Sequence, residues 1–93
     1  MNIEKLTSRY IASAEEVLRE IQLTKDIVTI TEENIACILD YVTNYLKDAK
    51  YYKDQKMFET SLTSIAYCEG LLDALKLMGA VKFKWPTKTG KNE

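Results

Sequence analysis

Histidine is absent from the 93 residues, and that absence excludes more chemistry than any residue present supplies. Without imidazole there is no Ser-His-Asp or Cys-His nucleophilic system, no His-ligated zinc and no carboxylate-histidine diiron centre of the usual form. An enzyme built on this chain would rely on carboxylates, lysines or tyrosines, and the expectation is that it is not an enzyme and carries no cofactor or metal. Breakers are nearly as scarce, with one proline and three glycines. So few turn signals favour a few long helices over many short strands. The two cysteines, Cys37 and Cys68, form no CxxC pair, and each sits in an apolar helical pattern. They read as buried thiols of a cytoplasmic protein. No apolar run approaches the roughly 20 residues that span a bilayer, and the start, MNIEKLTSRY, lacks the apolar centre of a signal peptide.

Net charge is −1, with no overall bias toward nucleic acid or an anionic membrane. Its distribution says more. Residues 1–80 hold nine Lys/Arg against thirteen Asp/Glu, whereas residues 81–93 hold Lys82, Lys84, Lys88 and Lys91 against Glu93. With 46% hydrophobic and 29% charged residues the composition is that of a globular protein, and the length fits one domain. The expected organisation is a bundle over 1–80 followed by a basic, partly disordered tail over 81–93.

Three helices are expected, at about 3–25, 32–54 and 57–78. Asn2 is the N-cap of the first. Its stripe of Ile3, Leu6, Tyr10, Ala14, Val17 and Ile21 advances in steps of three and four, while Glu15 and Arg19 lie on the wet side. DIVTIT, residues 26–31, is β-branched and reads as an extended connector. Thr31 caps the second helix, with Glu32 and Glu33 in the first turn where the helix dipole favours negative charge. Ile30 and Ile35 occupy the positions of a hydrophobic staple.

In that second helix Ile35, Ile38, Val42, Tyr45, Ala49 and Tyr52 repeat as a heptad seam, widened to one side by Leu39 and Leu46. So broad a stripe suits a helix packed against two neighbours. Lys47, Lys50, Lys53 and Lys56 cluster at its C-terminal end. On the third helix Phe58, Leu62, Ile65, Leu72 and Leu75 are expected to be buried, with Ser61 and Cys68 on the same side, and Gly79 stops the helix. The fold class that follows is all-α, an antiparallel up-down-up three-helix bundle with an extended C-terminal tail.

Three constellations are candidate sites. Glu69 and Asp73 stand one turn apart on an apolar helix with Gly70 between them. Two carboxylates are too few for a metal or an acid-base centre without further ligands. They read instead as a packing feature, in which Glu69 meets Tyr10, Tyr45, Tyr52 or Arg9 and Gly70 lets another helix approach. Tyr41, Tyr45 and Tyr52 lie along one side of the second helix, as the edge of a core or the wall of a groove. In the tail, Lys82, Phe83, Lys84 and Trp85 interleave charge with aromatic rings, the composition of a strip that contacts single-stranded nucleic acid.

Residues Tyr51 and Tyr52, followed by SIAYCEGLLDALKLMG from Ser64 to Gly79, resemble the signature of an archaeal family known as domain of unknown function 357. A weaker likeness covers YIASAEEVL from Tyr10 to Leu18. The resemblance implies a three-helix, up-down-up bundle and no assigned activity. Where the family often has a Gly-Asp-like turn before the third helix, this chain reads DQKM, and Cys68 stands where alanine is usual. Together these features lead to a small helical interaction module, self-associating or docking a protein partner. The alternative is a nucleic-acid accessory protein that uses the tail and the lysines of the second helix.

Overall fold

A computed structural model describes residues 2–86. The chain is all-α, with three helices and no strand among the described residues: α1 (Ile3–Glu20), α2 (Glu32–Asp54) and α3 (Phe58–Leu77). None of them is long and apolar enough to cross a membrane. The expected end of the tail, including Lys88 and Lys91 and its disorder, lies outside the described residues.

Local signals set the helix ends. The Asn2 side chain accepts a hydrogen bond from the Lys5 amide at 3.1 Å and opens α1. At the start of α2 a reciprocal box forms: the Asn34 amide donates to Thr31 Oγ1 at 3.0 Å and the Thr31 amide donates to Asn34 Oδ1 at 3.1 Å. Asparagine here does what glutamate or glutamine does in the usual capping box, satisfying two amides that the helix leaves open. α1 stops at Glu20, five residues before the expected Lys25, because Ile21 already has an extended backbone at ψ 137°. The β-branched connector stays non-helical, with a bend at Asp26, and reaches Thr31 in an extended conformation.

The two later helices end in the same way. Met57 N–H donates to Tyr52 O and Lys56 N–H to Lys53 O, at 2.8 and 3.0 Å, and Ala80 N–H donates to Leu75 O and Gly79 N–H to Lys76 O, at 2.9 and 3.0 Å. These are two Schellman closures, whose hinge residue must adopt a left-handed backbone. Gly79 does so at φ 75° and Lys56 at φ 61°. Only the second carries a Cβ that resists the conformation. Lys56→Gly is therefore expected to stabilise the chain by about 0.5 to 1 kcal/mol, strain relief outweighing the added freedom of the unfolded chain. A lowered urea midpoint for K56G would contradict it.

The closure at Lys56 turns the chain back, so α2 and α3 form an antiparallel hairpin. Ser61 Oγ donates to the Ala49 carbonyl at 2.6 Å, and the Tyr45 and Tyr67 rings lie 4.4 Å apart, tilted by 32°. Ile35, Ile38, Val42, Tyr45, Ala49 and Tyr52 are all buried or half-buried, so the heptad seam is the packed face of α2. From α3 the hairpin takes Ser61, Ile65, Cys68, Leu72 and Leu75. Phe58 and Leu62, expected in the same core, are 61% and 68% exposed. They sit about 100° around the helix from Cys68, on the flank of the seam, which α2 alone does not cover.

Contact between helices is confined to α2 and α3. No residue of α1 is buried. Its stripe of Ile3, Tyr10, Val17 and Ile21 faces outward, with Tyr10 70% exposed.

Candidate functional site

The flank of α3 beside the seam is where the remaining apolar and charged groups gather. At 100° per residue, Phe58, Leu62, Glu69, Asp73 and Lys76 fall in one arc of this helix. Leu39 and Leu46, the residues that widen the stripe of α2, fall on its corresponding side. In an antiparallel right-handed pair these two sides face the same way, so Leu39, Leu46, Phe58 and Leu62 flank one open groove. Tyr41, Tyr45, Tyr52 and Tyr67 take the opposite side of the hairpin. By the same geometry Glu69 lies toward the Leu62 side of α3, and Tyr45 and Tyr52 toward the Tyr67 side of the seam. Arg9 and Tyr10 belong to α1, which packs against neither helix.

Glu69 itself is half-buried. Together with burial, which acts more strongly, its charge pushes the neighbouring Cys68 thiol above the ordinary value of 9.0. Cys37, expected to be buried like Cys68, is exposed, because it lies on the side of α2 away from the seam. The two thiols should therefore behave differently. A maleimide is expected to label Cys37 at once and Cys68 only as the hairpin opens. A raised folded value means that the neutral Cys68 thiol contributes stability fully below pH 9.0 and loses it as pH climbs through the folded value. Stability of the native chain should then fall above about pH 9.0 more steeply than that of a Cys68→Ala variant. Parallel curves would overturn the assignment.

Gly70 points away from both α2 and the groove, and an added Cβ would meet nothing within 4 Å. The expected close approach of another helix at Gly70 does not occur. Gly70→Ala is expected to add about 1 kcal/mol through helix propensity alone, which a thermal melt would show.

Asp73 is engaged by the tail. Trp85 Nε1 donates to Asp73 Oδ1 at 2.7 Å, Phe83 meets Trp85 edge-on at 5.0 Å, and Lys76 Nζ lies 4.9 Å from the centre of the Phe83 ring. Val81, Phe83 and Trp85 are half-buried while Lys82, Lys84 and Pro86 are exposed. The expected alternation is present, and it turns the rings inward onto α3 and the lysines outward. A hollow of about 510 Å³ opens beside it, lined by Asp73, Lys76 and Leu77. The tail thus packs on the C-terminal part of α3, while Phe58 and Leu62 remain exposed nearer its start. Among the described residues no three His, Cys, Asp or Glu side chains stand together as a metal site, so Glu69 and Asp73 remain two carboxylates one turn apart with different surroundings.

The sequence family described as Protein of unknown function (DUF357) matches residues 9–81. The chain belongs to this family. The DUF357 match begins inside α1, spans α2 and α3 with both Schellman closures, and ends at Val81, before Phe83 and Trp85. It therefore covers the hairpin, the groove and most of the free helix, but not the aromatic strap. No curated protein and no solved structure matches the chain.

Proposed function

We propose that this member of DUF357 is a small cytoplasmic helical interaction module, without catalytic activity, that self-associates or docks a protein partner. One observation carries the reading: α1 presents an apolar stripe with none of its residues buried, while Phe58 and Leu62 leave a second apolar surface open on α3. Contiguous exposed apolar surface of this kind marks an interaction site on a folded chain. Light scattering across a concentration series tests self-association, and a pull-down with the immobilised chain tests a hetero-partner. A strict monomer that retains no partner would remove the proposal.

The nucleic-acid reading has less support. Stacking on bases needs free ring faces, and here both rings of the tail lie against α3 with the Asp73 carboxylate beside them. An RNA shift assay over a salt series would revive it only by a signal that weakens steeply with salt.

A further inference from the structure

We infer that residues 81–86 form a latch on α3 that opens as a unit of its own while the hairpin stays folded, with Asp73 as its catch. The inference stands apart from the interaction reading, because it concerns the chain alone.

The core does not include the strap. Among the described residues the buried ones are Val42, Ala49, Cys68 and Leu75, all on α2 and α3, and the closure from Ala80 N–H to Leu75 O ends the last helix before Val81. Among the described residues no backbone-to-backbone hydrogen bond joins 81–86 to either helix. What holds the strap is its side chains.

Those side chains act together. Val81, Phe83 and Trp85 are half-buried while Lys82 and Lys84 are exposed, so every second residue turns toward α3. Phe83 meets Trp85 edge-on at 5.0 Å, Lys76 Nζ lies 4.9 Å from the centre of the Phe83 ring, and Trp85 Nε1 donates to Asp73 Oδ1 at 2.7 Å. Each ring leans on the other as well as on α3, and residues in contact in this way are energetically coupled.

The setting keeps the latch weak. Asp73 and Lys76 are both exposed, so water competes for the carboxylate and for the ammonium, and each contact contributes little net stability. A segment held by few buried contacts opens at lower cost than the core it rests on. Leu75 belongs to that core, and the strap does not.

Opening changes what the chain presents. Closed, the rings are occupied by α3 and by each other; open, Phe83 and Trp85 stand among Lys82 and Lys84 on a released segment, and the surface of α3 around Asp73 and Lys76 is uncovered. A ligand that prefers one form shifts the balance by the difference between its two affinities.

Trp85 is the one tryptophan of the chain, so its indole N–H gives a single resonance and its emission a single signal. In the full chain, exchange of that N–H with solvent, corrected for intrinsic rates, is expected to outpace exchange of the Leu75 amide by on the order of a hundredfold. Phe83→Ala does not touch the hydrogen bond to Asp73, yet it should speed indole exchange by about threefold or more, because the rings act together. Asp73→Ala should speed it as well and shift the emission to the red, with Asp73→Asn, which keeps an acceptor but not the charge, between it and the native chain. The urea midpoint by far-UV circular dichroism should stay at the native value, or rise in Asp73→Ala because alanine is the better helix former. Indole exchange as slow as that of the Leu75 amide overturns the inference, as does exchange that Phe83→Ala leaves unchanged. Emission that Asp73→Ala does not move removes Asp73 as the catch. A variant that loses its helices, or whose urea midpoint falls along with the strap, shows strap and hairpin to be one unit and overturns the inference as well.

Discussion

Leu75→Ala is expected to lower the stability of the chain by about 3 kcal/mol, through loss of buried surface and the cavity left behind. Among the described residues Leu75 is the one large side chain fully withdrawn from solvent, at 0% exposure. It closes the seam at the C-terminal end of α3, one heptad beyond the buried Cys68, and its carbonyl accepts the amide of Ala80 in the closure that ends the helix. A core with so few buried side chains has little with which to refill the void. The corresponding fall in melting temperature is about 15 °C for a domain of this size, read by far-UV circular dichroism. Leu77→Ala is the control: Leu77 is 88% exposed, and its truncation should change stability by less than about 0.5 kcal/mol. Equal effects at the two positions would show that Leu75 is not the anchor of this seam.

Ala49→Leu should cost about 2 to 3 kcal/mol for the opposite reason. Ala49 is buried where α2 and α3 come close enough for Ser61 Oγ to reach its carbonyl at 2.6 Å. A leucine there adds volume to a contact that has none to spare and forces the helices apart. Separation also breaks the Ser61 hydrogen bond, worth about 1 kcal/mol, and leaves Ser61 without that acceptor. Urea unfolding of A49L and of Ser61→Ala separates the two contributions: the serine variant should lose only the smaller part. If A49L unfolds at the native midpoint, the close approach at this level is not what holds the hairpin.

Both residues were legible in the sequence as members of periodic stripes, but their weights were not. The steps from Ile35 to Tyr52 name the packed face of α2 residue by residue, because only one stripe of that helix repeats at heptad spacing. The third helix is different. Phe58 and Leu62 are more hydrophobic than Ser61 and Cys68, and hydrophobicity alone places them in the core, where the structure does not. Its apolar residues cover more than half the circumference, so periodicity offers two adjacent faces and cannot rank them. Cys37 was misjudged for a related reason: an apolar neighbourhood in sequence does not say which side of the seam a thiol occupies. Asn34 in the cap of α2 gives little signal in the sequence, because a capping box is ordinarily marked by glutamate or glutamine, although an asparagine side chain presents the same acceptor to the same amide.

The sequence by itself determined the elements. Asn2 and Thr31 start helices, Gly79 ends one, residues 26–31 stay out of any helix, and Val81, Phe83 and Trp85 alternate with lysines, all because caps, turns and β-branched crowding act over three or four residues. The tertiary structure decided which faces meet. α2 lies on the Ser61–Cys68–Leu75 face of α3 because small side chains at Ala49 and Ser61 let the two backbones approach and join by a hydrogen bond, which Phe58 and Leu62 would prevent. That choice leaves Phe58 and Leu62 exposed on the flank of the seam, and with the apolar stripe of α1 also unburied it gives this chain surface to fill.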